Sequence, residues 1–319
     1  MPTKADGQEA SGEAIAGASD SVQFVDEPIA VEYDSARFGP RSLTWRSREF
    51  HVEEILRTWQ DFHTPAYASH ARGWLHRRHR NYYVVRAAGG DVLEVYLDRA
   101  GGQRTWVLLK RHRLSLQMLT VGEWGANCYV LEGNGQCLVV DPGDEPERIL
   151  AAVAGRPVAA IVLTHGHRDH VGAAATIRQV TGAPLHIHPA DATAFGVAAD
   201  RELAHGQSLR VGWFGVQIAH TPGHTPGSVC LRFDERALVG DTLFPGGPGR
   251  TDSPHALDEV VASLRSVVFA WPDETRFYPG HGQGATIGAV RPAFRAFEVR
   301  ARPADLCGDV EWSGPEQPG

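Results

Sequence analysis

Four short apolar segments in the second half of the chain each end in a loop that carries histidine or aspartate. The segments are VAAIVL, VQIA, ALVG and RFY, and the loops that follow them are THGHRDH, HTPGHTPGS, DTLF and PGHG. Short apolar runs bounded by glycine and proline are typical of buried strands, and helical stretches lie between them, after His170 and from Ala256. Loops held on such a scaffold commonly carry functional side chains. The pattern predicts a layered α/β domain in which these donors converge if the strands share one edge.

The preceding part of the chain has the pattern of a small β-rich domain. The segments NYYVVRAA, DVLEVYLDR and QRTWVLLKR alternate in polarity and are separated by Gly89-Gly90 and Gly101-Gly102, which predicts a three-stranded meander. Before it, SLTWRSREFHVEEILRTWQDF predicts a hairpin followed by a short amphipathic helix. That helix would place four apolar side chains on one face: Val52, Ile55, Leu56 and Trp59.

Length, composition and charge predict two domains with a tail at each end. A chain of 319 residues fits two domains, at about 150 residues per domain. Lys and Arg outnumber Asp and Glu over residues 22–114, and the reverse holds over 115–300, which favours a boundary near 114. We therefore predict a disordered tail at 1–21, a β-rich accessory domain at 22–114, the α/β domain at 115–300 and a flexible tail at 301–319.

Several partners and compartments are not expected from the composition. There is no apolar run of about 18 residues and no secretory leader pattern, so we expect a cytoplasmic protein without a membrane partner. Tryptophans and the basic cluster HRRHR could form a nucleic-acid surface, but core packing and a solvated loop are the commoner explanations. Nucleic acid is therefore not an expected partner, and the oligomeric state is left open.

The spacing within HGHRDH suits two adjacent metal ions. His165 and His167, two residues apart in an extended segment, can project to the same side. Asp169 and His170, at the turn into a helix, can reach a neighbouring point. Imidazole and carboxylate donors suit zinc, with iron or manganese also acceptable, and the lack of thiolates argues against a structural zinc site.

The motifs THGHRDHVGA, HTPGHTPGS, VGDTLF, GRTD and YPGHG follow one another over about residues 115–295. In this ordered set the sequence resembles the metallo-β-lactamase superfamily, and within it the short bacterial glyoxalase-II-like hydrolases. The resemblance implies an αββα sandwich preceded here by the small β-rich domain, which itself resembles a family of unknown function. It also implies two divalent metals, the first held by His165, His167 and His224 and the second by Asp169, His170 and His281, with Asp241 bridging both.

The resemblance implies hydrolysis of a thioester or another small ester, as in hydroxyacylglutathione hydrolases. A hydroxide bridging the two metals would attack the carbonyl, and Asp169 and Asp241 would act by positioning that hydroxide. Two alternatives stay open. One is a persulfide dioxygenase with a single iron on His165, His224 and Asp241. The other is a non-catalytic protein that binds a partner and has a degenerate site.

Overall fold

The computed structural model describes residues 21–62, 79–99 and 104–313, and its first part is a closed six-stranded barrel. Each strand pairs antiparallel with the next, and the first pairs with the last. The meander predicted for the last three strands is confirmed. The strands are β1 (Val22–Asp34), β2 (Gly39–Trp45), β3 (Arg48–Asp61), β4 (Arg80–Ala87), β5 (Val92–Asp98) and β6 (Thr105–His112).

The amphipathic helix predicted around Val52 to Trp59 is wrong, because this segment belongs to the 14-residue strand β3. The register of β3 against β4 shifts between Val52 and Glu54 and again between Ile55 and Arg57. Such bulges insert an extra residue and move the inward face along the chain. Val52 and Ile55, three residues apart, therefore both pack in the barrel core, while Leu56 and Trp59, also three apart, pack against the cluster shared with the sandwich. The four apolar residues together have the spacing of a helix.

Some of the predicted features lie outside the described residues. These are the disordered tail apart from Ser21, most of the HRRHR cluster, the turn at Gly101-Gly102 and the last six residues of the chain.

The second part of the structure is a pair of six-stranded sheets that pack face to face. The first sheet has the order β12-β11-β10-β9-β8-β7, and the second has the order β13-β14-β15-β16-β19-β20. The first sheet contains β7 (Ser115–Val121), β8 (Ala126–Gly133), β9 (Gln136–Val140), β10 (Val158–Val162), β11 (Leu185–Ile187) and β12 (Arg201–Glu202). The second contains β13 (Ser208–Val211), β14 (Phe214–His220), β15 (Val229–Phe233), β16 (Arg236–Gly240), β19 (Arg276–Pro279) and β20 (Ala285–Thr286), while β17 (Leu243–Phe244) and β18 (Gly247–Pro248) form a separate small hairpin.

Helices cover the outer faces of both sheets, which gives the predicted αββα layers. In β9, Leu138 and Val140 face the other sheet, whereas Cys137 and Val139 face the helices, as the two-residue period of a strand requires. Because both faces are buried, such strands are continuous apolar runs. The helices are α1 (Pro146–Val153), α2 (Arg168–Val171), α3 (Ala174–Thr181), α4 (Pro189–Phe195), α5 (Pro254–Ser266) and α6 (Ile287–Val299). Among the described helices, none is long and apolar enough to cross a membrane.

The barrel docks on the end of the sandwich where β14 and β16 begin. Val84 and Val92 of the barrel belong to the same buried cluster as Leu114 and Phe214. Beside this cluster, the guanidinium of Arg111 donates to Asp91 at 2.6 Å and to Glu235 of the sandwich at 2.5 Å. The contact therefore combines a shared apolar core with a partly buried ion pair.

Replacing Arg111 tests this contact. Arg111→Ala leaves the buried carboxylate of Asp91 without its main partner, and losing one member of a buried pair costs about 3–5 kcal/mol. We expect the free energy of unfolding, measured by urea titration, to fall by about 3 kcal/mol. Arg46→Ala removes an arginine from an exposed pair with Glu27 and should leave the urea midpoint of unfolding unchanged. Equal midpoints for both variants would contradict the structural role of Arg111.

The described part of the C-terminal segment differs from the flexible tail that composition predicts. Val310 and Trp312 are buried in the cluster formed by α5, α6 and the second sheet. Trp312 contacts Phe294 and Phe297 of α6 edge-on, and Gly308 pairs with Thr251. Two apolar anchors within a polar segment are enough to hold it against the domain, although the average composition is that of a tail.

Candidate metal centre

The loops that carry the predicted donors meet at one edge of the two sheets. His165 and His167 follow β10, and His224 follows β14. Asp241 and His281 follow β16 and β19, which run parallel and therefore end side by side. Asp169 and His170 lie on the short helix α2, directly after the β10 loop. The structure therefore brings all seven predicted residues together.

The donors form two adjacent groups. Within the first group, His165, His167 and His224, the donor atoms lie within 4.8 Å of one another. The same limit holds for the second group, Asp169, His170 and His281. Close contacts in the two groups are His224 Nε2 to His167 Nδ1 at 3.0 Å and His281 Nε2 to Asp169 Oδ2 at 3.0 Å.

Asp241 stands between the two groups. Its Oδ2 lies 3.7 Å from His224 Nε2, in the first group, and 3.7 Å from His281 Nε2, in the second. Its Oδ1 lies 3.7 Å from His170 Nε2. One carboxylate thus faces donors of both groups.

The outer nitrogens of four imidazoles are held by protein oxygen atoms, and this turns the other nitrogen of each ring toward the centre. His165 Nδ1 lies 3.0 Å from Thr164 Oγ1, and His170 Nδ1 lies 3.3 Å from Asp141 Oδ2. His224 and His281 contact the carbonyls of Arg250 and Trp124 at 2.8 and 3.2 Å. Bonds of this kind fix the tautomer and the orientation of histidines that bind metals.

Burial and neighbouring charges lower the pKa values of His165 and His167 but raise that of His170. Burial, helped by the other imidazoles, lowers the pKa of His165 well below its ordinary value, and burial also lowers that of His167. For His170 burial acts in the same direction, but the carboxylates of Asp141, Asp241 and Asp169 together outweigh it and raise the pKa to about 9. A cation binding to the second group therefore displaces a proton from His170, whereas His165 and His167 already present neutral rings.

The centre also contains polar atoms without protein partners. His165 Nε2 and Asp241 Oδ1 are buried, and neither has a hydrogen-bond partner among the described residues. A buried polar atom without a partner costs free energy, which a cation at this point would recover. Neutral imidazole nitrogens and carboxylate oxygens are the donors that divalent transition metals accept. The donor set therefore fits divalent cations.

Gly280 is required by the close approach of two loops at the centre. A Cβ atom at this position would lie 2.0 Å from Asp241 Oδ1 and 2.7 Å from His170 Cε1. The glycine of PGHG thus leaves room for Asp241 to stand between the two groups.

A cleft of about 460 Å³ opens beside the second group. Asp169 lies in its wall, next to Arg168 and Trp124. The side chain of Trp124 is 61% exposed, while its backbone carbonyl contacts His281. The cleft therefore gives a small molecule access to Asp169, at the edge of the second group.

Sequence reasoning missed two buried aspartates that support the donors. Asp141 accepts from the backbone and the hydroxyl of Thr164 and contacts His170. Asp191 accepts from the backbone of Gly166, between His165 and His167. The position of Asp141 directly after an apolar strand, in VVDPGD, could have identified it, but nothing local distinguishes Asp191 in HPAD.

Other histidines of the second domain lie outside the two groups. His220 Nε2 contacts the Pro226 carbonyl at 2.9 Å, and its ring stacks on His188. His205 and His255 are exposed, and His186 is buried in β11.

Comparison with known families separates the two parts of the chain. Residues 121–281 match the model of the metallo-beta-lactamase superfamily, and residues 18–113 match a domain of unknown function, DUF6504. The first match spans half of the chain and contains all seven donors. The chain belongs to the metallo-beta-lactamase superfamily. Members of this superfamily are typically hydrolases, and the fold binds divalent metals.

Individual relatives in the superfamily carry more specific names. The chain is 34% identical to a probable metallo-hydrolase, YqgX, of Bacillus subtilis, over 51% of this chain and 88% of the relative. It is 31% identical to the hydroxyacylglutathione hydrolase GloC of Haemophilus influenzae, over 55% of this chain and 94% of the relative. The crystal structure of ETHE1 from Myxococcus xanthus superposes with a TM-score of 0.50 at 30% identity, over 54% of this chain and 80% of that protein.

Proposed function

We propose that this protein is a dinuclear metal-dependent hydrolase that acts on a thioester or another small ester. The observation that carries the proposal is the position of Asp241, whose two oxygens face donors of both groups. A single carboxylate between two complete groups of donors suits a pair of cations better than one. The similarity to a hydroxyacylglutathione hydrolase supports the thioester class.

The residues assigned to the first cation are His165 through Nε2, His167 through Nδ1 and His224 through Nε2. Asp169, His170 and His281 would hold the second, and Asp241 would contact both. When bound, the two cations would supply a hydroxide nucleophile near neutral pH and polarise the ester carbonyl. We propose zinc as the metal, because imidazoles and carboxylates are donors that zinc prefers. Iron and manganese bind to the same donors and are the alternatives.

The protein's own side chains orient these donors and give access to the substrate. Thr164 and Asp141 keep His165 and His170 turned inward, so the centre does not have to reorganise for each turnover. Asp169 and Asp241 would act as positioning carboxylates. The cleft admits the substrate beside Asp169, with the indole of Trp124 as an apolar wall and the guanidinium of Arg168 available to an anionic group.

The residue boundaries support an accessory role for the barrel. It spans Val22 to His112, and its contacts lie where β14 and β16 begin, whereas the donors follow the ends of these strands. We propose that residues 22–114 form a unit separate from the hydrolase domain at 115–300.

Metal analysis together with a substrate panel tests the proposed function. We expect purified protein to contain two equivalents of divalent metal, mainly zinc, and to hydrolyse a thioester, a lactone or a simple ester. Removing the metal with a chelator should abolish turnover, and adding zinc back should restore it. One iron per chain with oxygen consumption on a persulfide, and no esterase activity, would instead establish the dioxygenase. Absence of bound metal and of turnover would favour the partner-binding alternative.

A further inference from the structure

The segment HPAD, which the assigned ligands leave without a role, places a buried carboxylate behind the first group of donors. Helix α4 begins at Pro189 within this segment, and Asp191 lies in its first turn with no solvent exposure. Since a buried carboxylate is costly unless it is fully hydrogen-bonded, its partners indicate what it stabilises.

Among the described residues, the carboxylate of Asp191 accepts three hydrogen bonds, and all of them come from the two loops that carry the first group. Its Oδ2 accepts from the backbone N–H of Gly166 at 2.8 Å and from the hydroxyl of Thr225 at 2.7 Å. Its Oδ1 accepts from the backbone N–H of Gly227 at 2.6 Å. Gly166 lies between His165 and His167, and Thr225 directly follows His224. One carboxylate therefore links the two loops at residues adjacent to all three histidines.

The surrounding packing leaves this connection little freedom. A Cβ atom at Gly227 would lie 2.7 Å from the carboxyl carbon of Asp191, so the second loop approaches α4 as closely as a glycine permits. At the other end of α4, Phe195 meets the ring of His167 edge-on, with centroids 5.2 Å apart. Before the helix, His188 stacks on His220, where the second loop begins.

We propose that Asp191 is a positioning residue that fixes the distance between the HGHRDH and HTPGHTPGS loops and thereby preorganises the first metal site. The inference rests on the proposed function. Asp191 should affect the first metal site and not the second. It bonds to neighbours of His165, His167 and His224 and, among the described residues, to no residue of the second group. In the second group, the buried carboxylate behind the donors is Asp141, which contacts His170.

The test is Asp191→Asn in the full-length protein. All three partners are donors, so an amide must turn its NH₂ toward at least one of them and lose that bond. We expect zinc affinity at the first site to fall about 10–100-fold, as for other residues that orient metal ligands, while affinity at the second site stays within about threefold. Titration with zinc against a competing chelator measures both steps. His224→Ala identifies the step that belongs to the first site, and the visible spectrum of Co²⁺ reports its geometry.

A second measurement needs no metal. Hydrogen–deuterium exchange of the metal-free protein should be faster in Asp191→Asn within residues 164–170 and 220–228, because the Gly166 or Gly227 amide loses its acceptor. Asp200→Asn is the matched control. Asp200 also accepts from a backbone N–H, that of Leu185, but contacts neither loop, so metal affinity and loop exchange should remain those of the wild type.

The outcomes separate this inference from the proposed function. Unchanged exchange and unchanged affinity would overturn the role of Asp191, and so would an equal loss at both sites, which indicates general destabilisation. A wild-type protein that binds no zinc would refute the proposed function, and exchange alone would then decide whether Asp191 holds the loops. If Asp191→Asn does not fold, Thr225→Val removes one of the three donors and should weaken the same step by a smaller factor. A zinc affinity of Thr225→Val equal to that of the wild type would contradict the proposal.

Discussion

Asp241→Ala is expected to abolish hydrolysis and to remove bound metal in the same variant. The loss should exceed about 100-fold, the upper end of what is lost when a residue that only orients a ligand is replaced. Asp241 is the one carboxylate in the described centre that lies within 4.0 Å of donors from both groups. Without it, the positive charge of two neighbouring cations is held by six ligands, of which only Asp169 is anionic.

Metal content and turnover should therefore be measured on the same preparation of Asp241→Ala. Asp258→Ala, an exposed carboxylate on α5, is the control and should keep both properties of the wild type. Retained turnover with two equivalents of metal would refute the assignment of Asp241. Loss of turnover with full metal content would assign Asp241 to the substrate rather than to the cations.

The loops that carry the donors could be predicted from the sequence because each loop follows a recognisable strand. His165, Asp241 and His281 all follow short apolar runs, and strands that end at one edge bring such loops together. The supporting carboxylates were harder to recognise. Asp191 is separated from Gly227 by 36 residues, and only the path of the chain through β11 and α4 places them 2.6 Å apart.

The errors in predicting the fold have equally local causes. The two bulges of β3 give a strand the apolar spacing of a helix, and only the pairing with β4 distinguishes the two. In the C-terminal segment, Val310 and Trp312 are isolated apolar residues whose burial depends on a surface formed by α5 and α6. Two apolar residues hardly change the average composition of such a segment, so composition alone predicts a tail.

Removing the barrel by deleting residues 1–112 should destabilise the remaining domain without disabling its centre. The deletion takes Val84 and Val92 out of a core that they share with Leu114 and Phe214, and it removes the ion pair of Glu235 with Arg111. Burying one aliphatic side chain contributes about 1.5–3 kcal/mol, so we expect the free energy of unfolding to fall by about 3 kcal/mol or more. Urea titration of the intact and shortened proteins measures this difference.

Turnover per folded molecule should stay close to that of the intact protein, because the barrel contacts the opposite end of the strands. The seven residues of β14 place His220 about 20 Å from Phe214, at about 3.3 Å per residue. Trp213→Gln in the shortened chain should improve its solubility, since the indole of Trp213 loses its cover with the barrel. A shortened protein that is folded and binds two metals but has lost turnover would show that the barrel helps to form the substrate site. Unchanged stability would show that the shared core contributes little, and the barrel would then be an independent module tethered to the hydrolase.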